Sequence, residues 1–155
     1  MLSTHVIQLA NLQETRALGK RLAAVLRAGD CVFLTGDLGA GKTSLARGVI
    51  EVLTGEADAP SPTYTIAQTY NTHDGDELIH ADLYRIELES EIEEIGLEEA
   101  FDFAITLIEW PDRLGAATPP DRLELDIRHE EGDDAGKRQV RITGRGKWES
   151  RVDDL

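Results

Sequence analysis

Apolar positions change their spacing several times along the chain, and each change predicts an element. His5 to Leu9 reads as a short strand. In Asn11-Leu12-Gln13-Glu14 the asparagine can cap a helix and Glu14 can reach back to its start. Leu18, Leu22, Val25 and Leu26 fall on one helical face, and Gly29 is the expected stop. Cys31 to Leu34 is a continuous apolar run, as a buried strand requires. Leu45, Val49 and Leu53 then recur at helical spacing until Thr54-Gly55. Between them lies a glycine-rich segment, so the order is strand, glycine loop, helix.

Farther on, Tyr64 to Tyr70 looks extended, Asn71 to Asp76 supplies turn chemistry through Asp74-Gly75, and Glu77 to Ala81 forms a returning strand. Glu87 to Ala100 keeps Ile92, Ile95 and Leu97 or Ala100 as apolar positions in an acidic stretch, which predicts one or two surface helices with a solvated face. Ala104 to Ile108 is again short, apolar and β-branched, suiting a central strand covered on both faces, and it ends at Glu109. Pro119-Pro120 break the chain. Leu123, Leu125 and Ile127 then alternate with charged neighbours, and Val140 and Ile142 resume the alternation after a polar turn from Glu130 to Gly136.

These elements, with Gly36-x-x-x-x-Gly41-Lys42-Thr43 between the second strand and its helix, make a single α/β domain over residues 1–155, of the P-loop NTPase type. A mixed central sheet is flanked by helices, with an antiparallel hairpin and C-terminal antiparallel strands. The polar tail from about residue 145, which contains Trp148, is the part expected to be poorly ordered, although Trp148 could cap the sheet.

Composition narrows the function. The chain has 155 residues, 41% in the hydrophobic set, and carries 16 Lys+Arg against 30 Asp+Glu, a formal charge of −14. That apolar fraction suits one packed core without a disulfide or metal staple. No apolar run approaches the ~20 residues of a membrane span, and the N-terminus shows no secretory pattern. Cys31 is the one cysteine, which excludes a disulfide partner and a thiolate zinc site and points to the cytoplasm. Direct grip on a nucleic-acid backbone needs Lys and Arg, so the charge argues against a free-standing nucleic-acid-binding protein. Solubility or a salt-adapted cytoplasm explains the acidity equally well.

The strongest chemical signal is Gly36-Asp37-Leu38-Gly39-Ala40-Gly41-Lys42-Thr43, which fits the G-x-x-x-x-G-K-T pattern. Triphosphate oxygens need a concave set of backbone N–H donors, and glycine allows the backbone angles and the close approach. Asp37, Leu38, Gly39, Ala40, Gly41, Lys42, Thr43 and Ser44 are therefore the candidate nucleotide-binding residues. Lys42 would neutralise the β and γ phosphates, Thr43 would hold Mg²⁺, and the helix N-terminus would add its dipole. At ordinary usage of about 7% Gly, chance yields this pattern in roughly one such chain in a couple of hundred. Its position after a buried strand and before an amphipathic helix makes chance a poorer explanation still.

A P-loop site also needs acids at neighbouring strand ends, one for the metal and one to orient water. Asp82 closes Leu78-Ile79-His80-Ala81 and Glu109 closes Ala104 to Ile108, though spacing alone equally allows two surface carboxylates.

Four motifs in order carry a resemblance: the glycine segment, Ser61-Pro62-Thr63-Tyr64-Thr65, His80-Ala81-Asp82-Leu83-Tyr84-Arg85 and Ile108-Glu109-Trp110. Together they resemble the TsaE (YjeE) family, the ATPase component of bacterial tRNA threonylcarbamoyladenosine biosynthesis. The likeness runs from about Asn11, with Glu14-Thr15, to Trp110. It implies ATP or ADP as ligand, Mg²⁺ as cofactor, and partners of the TsaB and TsaD type, with tRNA reached only indirectly. It implies that Thr63 sits in a switch-like loop near the γ phosphate, that Thr15 contacts nucleotide, and that Asp82 and Glu109 are the acidic pair. Asp82 is assigned to Mg²⁺ and Glu109 to orienting or activating water. The two roles can be exchanged, so Thr43, Asp82 and Glu109 are the metal candidates and Glu109 and Lys42 the catalytic ones.

His80 could reach a phosphate, but a packed or hydrogen-bonded strand histidine is the plainer reading. Cys31 reads as a buried apolar thiol. Trp110 is either core or a cover over the site. The runner-up function is a small-molecule kinase, which needs an acceptor pocket and usually an arginine-rich lid; Arg113 and Arg122 flank a proline-broken stretch and form no obvious one. A GTPase-like switch is disfavoured because no Asn-Lys-x-Asp occurs in the chain.

Overall fold

A computed structural model describes residues 3–37, 41–63, 65–130 and 136–155. Among the described residues, strand β1 (Ser3–Leu9) leads to helix α1 (Leu12–Ala23), strand β2 (Cys31–Gly36) to helix α2 (Lys42–Thr54), and strands β3 (Ala67–Asn71) and β4 (Glu77–Asp82) form a hairpin. Two short helices follow, α3 (Glu89–Ile95) and α4 (Leu97–Ala100), then β5 (Ile105–Glu109), a 3-10 segment (Pro111–Ala117), β6 (Arg122–His129), β7 (Arg138–Arg145) and α5 (Trp148–Arg151).

The strands make one sheet in the order β1-β7-β6-β2-β5-β4-β3. β2 runs parallel to β5 and β6, and β5 parallel to β4, while the β3–β4, β6–β7 and β1–β7 pairs are antiparallel. The mixed sheet expected from the alternation is therefore present, with one refinement: each antiparallel hairpin joins the centre through a parallel contact. The register places Asp82 opposite Glu109 and Leu34 opposite Glu109 on the other side, so three strands end together.

Alternation decides which face each side chain meets. Val32, Leu34, Leu107, Leu125 and Ile127 pack under Leu18, Leu22, Leu45, Val49 and Ile50 of α1 and α2. Phe33, Ala81 and Ile108, one residue out of phase, meet Leu83, Ile86, Ile92, Leu97 and Leu114 on the opposite face. α1 and α2 touch backbone to backbone, because a Cβ on Gly19 would collide with the Leu45 carbonyl and one on Gly48 with the Arg16 carbonyl. Burial of this apolar area is the main source of stability.

Three expectations need correction. α1 stops at Ala23 rather than near Gly29, since Val25 and Leu26 donate to Leu22 and Ala23 in tightening turns; Gly29, at φ 91°, then donates to Ala104 and turns the chain into β2. The extended segment expected from Tyr64 becomes a strand only at Ala67. Ile66 adopts φ 69° and donates to the Pro62 carbonyl at 2.7 Å, closing a loop that lands on the end of β4. The tail expected to be poorly ordered packs instead: Trp148 is 1% exposed within the main core. Its ring is large enough that burying it outweighs the polarity of its neighbours. The acidic segment is two helices as expected, broken at Gly96 with φ 79°.

Candidate functional site

Parallel strands end together and leave a crevice at their carboxyl ends, and the loop after β2 feeds a helix there. Gly41 takes φ 114° immediately before Lys42, the first residue of α2. The angle favours glycine, and the space is tight, since a Cβ at Gly41 would sit 3.2 Å from the Thr15 methyl and 3.3 Å from Arg138 Nε. Leu38, Gly39 and Ala40 of the expected cradle lie outside the described residues, as does Tyr64 of the second motif.

Gly41, Lys42, Thr43, Ser44, Thr63, Asp82 and Glu109 line one cavity of about 330 Å³, together with Leu12 and Trp110. Four expected motifs thus converge on it. Lys42 is 5% exposed, with Nζ donating to the Gly36 carbonyl at 2.7 Å and the Asp37 carbonyl at 3.1 Å and lying 4.3 Å from the Trp110 ring centroid. Burial pushes its ammonium below the ordinary lysine value, while the Glu109, Asp82 and Asp37 carboxylates pull the other way. Asp37 is itself exposed.

Glu109 is 3% exposed and Asp82 5%, so both carboxylates need donors. The Thr43 hydroxyl contacts both Glu109 oxygens at 3.1 and 3.2 Å, and His80 Nε2 lies 2.6 Å from Oε2. Asp82 accepts from the Thr63 hydroxyl at 3.1 Å and from the Tyr84 N–H at 3.0 Å. Thr63 shares a 2.8 Å hydrogen bond with Ser61. The loop closed by Ile66 is what carries Thr63 to this position.

Oxygen donors of this kind suit a hard divalent cation, and helix α2 points its N-terminus at the same space. Among the described residues no group of three His, Cys, Asp or Glu gathers to form a complete metal cage. The hydroxyl and carboxylate oxygens of Thr43, Asp82 and Glu109 are donors of the kind that would suit Mg²⁺.

Thr15 lies beside Gly41 and outside the cavity lining. It is fully buried, its hydroxyl donates to the Asn11 carbonyl at 3.2 Å, and its methyl faces Gly41, so it shapes the cradle by packing. Sequence reasoning missed Leu12, 46% exposed on the rim, and Arg138, 4% exposed beside Gly41. The exposed apolar residue at the start of a helix was a usable signal for Leu12. Nothing local marks Arg138, because it arrives on β7 from the far end of the chain. Trp110, at φ 59°, both packs on the core and lines the cavity, its ring meeting Tyr84 at a 54° tilt with 4.9 Å between centroids. Arg113 donates to the Ile86 carbonyl and Arg122 to Glu124 and the Pro119 carbonyl, so these two arginines are engaged away from the cavity.

A larger groove of about 770 Å³ opens on the opposite sheet face, lined by Glu124, Asp126, Arg128, Arg141 and Arg145 among others. Its charges largely pair with each other, Arg128 with Asp126 at 2.9 Å and Arg145 with Glu124 at 3.1 Å, and it lacks the helix N-terminus. Convergent chemistry, rather than volume, selects the smaller cavity.

The chain is similar throughout to proteins of one described family. A family model described as "Threonylcarbamoyl adenosine biosynthesis protein TsaE" matches residues 9–140. A Streptomyces coelicolor protein named tRNA threonylcarbamoyladenosine biosynthesis protein TsaE is 41% identical over 137 residues, covering 86% of this chain and 93% of its own length. Its Bacillus subtilis namesake is 39% identical over 148 residues, covering 94% and 89%. The crystal structure of Bacillus subtilis YdiB superposes with a TM-score of 0.80 at 33% identity, over 99% of this chain and 94% of that one. With the four motifs gathered at one strand-end crevice and the match running through all of them, this chain belongs to the TsaE family.

Proposed function

We propose that the chain is a Mg²⁺-dependent subunit that binds and hydrolyses ATP, and that it supports tRNA threonylcarbamoyladenosine modification through a complex with TsaB- and TsaD-type proteins. The observation that carries this reading is the convergence of Lys42, Thr43, Thr63, Asp82 and Glu109 on one cavity at the N-terminus of α2. Family membership supports the pathway. When bound, Mg²⁺ would supply neutralisation of charge on the β and γ phosphates.

Lys42 would exchange the Gly36 and Asp37 carbonyls for phosphate oxygens, with backbone N–H groups of the loop and α2 taking the rest. Thr43 and Asp82 would hold the metal. Glu109 would orient the attacking water and accept its proton, and Thr63 would approach the γ phosphate from its loop. Hydrolysis is expected to be weak alone and faster with partners, since the switch-like loop around Ser61 to Thr65 is the natural place for a partner to act. At −14 the chain should reach tRNA only through those partners. Among the described residues no helix is long and apolar enough to cross a membrane.

The test is Mg²⁺-dependent ATP turnover by the purified chain, alone and mixed with TsaB- and TsaD-type proteins, with complex formation measured with ATP, ADP and no nucleotide. Turnover stimulated by the partners and nucleotide-dependent binding are expected. No turnover in any mixture would overturn the hydrolytic reading, and equal partner affinity in all three conditions would refute the coupling.

A further inference from the structure

His80 has no part in the chemistry so far. Its place is set by β4, where the alternation that buries Leu78 in the α1/α2 core puts His80 and Asp82 on the same face. It pairs in register with Leu107, two residues before Glu109, so the ring reaches along β5 to the carboxylate. It is 0% exposed, and its Nε2 lies 2.6 Å from Glu109 Oε2. Nδ1 is buried and has no hydrogen-bond partner.

From these contacts we infer that His80 is the positioning residue for Glu109, an Nε2–H donor that fixes the carboxylate's direction. The inference rests on the hydrolytic reading of the site and deepens it. A carboxylate that orients water must point one way, yet Glu109 has two oxygens and a flexible stem. Two side chains hold it, the Thr43 hydroxyl and the His80 ring. Thr43 has a second claim on its hydroxyl, since the same atom would serve the metal. His80 has none: its ring is sealed from the cavity, and its other nitrogen touches no partner. The imidazole is therefore the donor that stays when Thr43 turns away.

The geometry also assigns the tautomer. A contact of 2.6 Å between a ring nitrogen and a carboxylate oxygen needs a proton between them. Placing it on Nε2 leaves a lone pair at Nδ1, whereas placing one at Nδ1 would leave a buried N–H without an acceptor, the rarer defect. A purely architectural histidine would need neither this tautomer nor this partner.

The experiment compares His80→Phe, which keeps the ring's bulk without a donor, with His80→Gln, which restores an N–H at similar reach. Loss of a positioning partner of this kind typically costs ~10–100-fold in activity. His80→Phe should lower kcat by that factor while ATP affinity, measured by titration without turnover, stays within ~3-fold, and His80→Gln should recover most of the loss. A His80→Phe protein that is folded and turns over at the parental rate overturns the inference. So does equal loss in both variants, or loss of affinity in step with kcat. A second arm does not need activity: nitrogen NMR of the parental chain should show His80 protonated at Nε2 and bare at Nδ1, with the Nε2 signal moved by Glu109→Gln. A proton at Nδ1, or no response to Glu109→Gln, overturns the inference even if the parental protein proves not to hydrolyse ATP.

Discussion

Strand β2 has a cavity of about 330 Å³ at each end, and the two treat charge in opposite ways. At the N-terminal end Asp30 meets Arg151 through two contacts of 2.6 and 2.9 Å, takes a third from the Arg27 N–H at 2.7 Å, and leaves no oxygen unsatisfied. Arg151 also donates to the Val25 carbonyl and lies 3.9 Å from the Trp148 ring centroid. The planar guanidinium and the carboxylate close on each other. At the C-terminal end a buried cation and two buried carboxylates share one cavity without bridging. Lys42 rests on carbonyls and an indole, Glu109 on a hydroxyl and an imidazole, Asp82 on a hydroxyl and one N–H. The carbonyls and hydroxyls among these partners can be exchanged for phosphate and metal without stranding a charge. The first arrangement is a clasp, the second a candidate site.

Substitutions should separate the two ends. The largest effect belongs to Lys42→Ala, which removes the buried cation of the cavity: ATP affinity should fall by roughly 10²–10³-fold, about 3–4 kcal/mol, read by calorimetry. Thermal stability should change little, since the lost contacts are to carbonyls. Glu109→Gln keeps size and polarity but cannot accept a proton. Turnover should drop about 10²-fold, near 2.7 kcal/mol, with nucleotide affinity retained; parental turnover would break the assignment of water to Glu109.

Arg151→Ala tests the clasp. Removing one partner of a mostly buried pair should cost about 2 kcal/mol in urea unfolding, less than a fully buried pair because the side chains remain 20% and 10% exposed. Nucleotide affinity of the folded fraction should be unchanged, and a matching loss of affinity would show that the ends are coupled. Asp82→Asn should raise the Mg²⁺ concentration needed for half-maximal nucleotide binding by about 10-fold, about 1.4 kcal/mol. An unmoved metal titration would transfer the metal to Glu109.

An effect of the same size concerns Cys31, next to the clasp. Burial pushes its thiol up to about 12 from 9.0, with only a weak opposing pull from Thr106 and Arg122. A raised value means that the thiol's contribution to stability is intact below 9.0 and is lost as pH climbs toward 12. The parental chain should therefore lose about 1.4 kcal/mol more than Cys31→Ala between neutral pH and about pH 10. Coincident pH profiles in urea unfolding would show that the thiol is not shielded.

Much of this molecule was already decided along the chain. The apolar run from Cys31 and the one ending at Ile108 could only be covered strands. The glycine segment between strand and helix had the spacing of an anion cradle, and Asp82 and Glu109 stood at strand ends. These features are local, set by side-chain period, backbone freedom and charge over a few residues. What remained undecided needed partners distant in the chain. Asp82 and Glu109 lie 27 positions apart and meet because β4 and β5 pair in parallel at that register. Tertiary structure also bent Pro62 to Ile66 into the loop that sets Thr63 on Asp82, turned Thr15 inward, brought Arg138 beside Gly41, and packed a polar tail around Trp148. His80 shows the division most sharply. As a residue in a strand it was read as packed or hydrogen-bonded, and it is both. Which atom it holds depended on the alignment of two strands whose pairing no short stretch of sequence encodes, because a shift of one residue would have turned either ring or carboxylate to the other face.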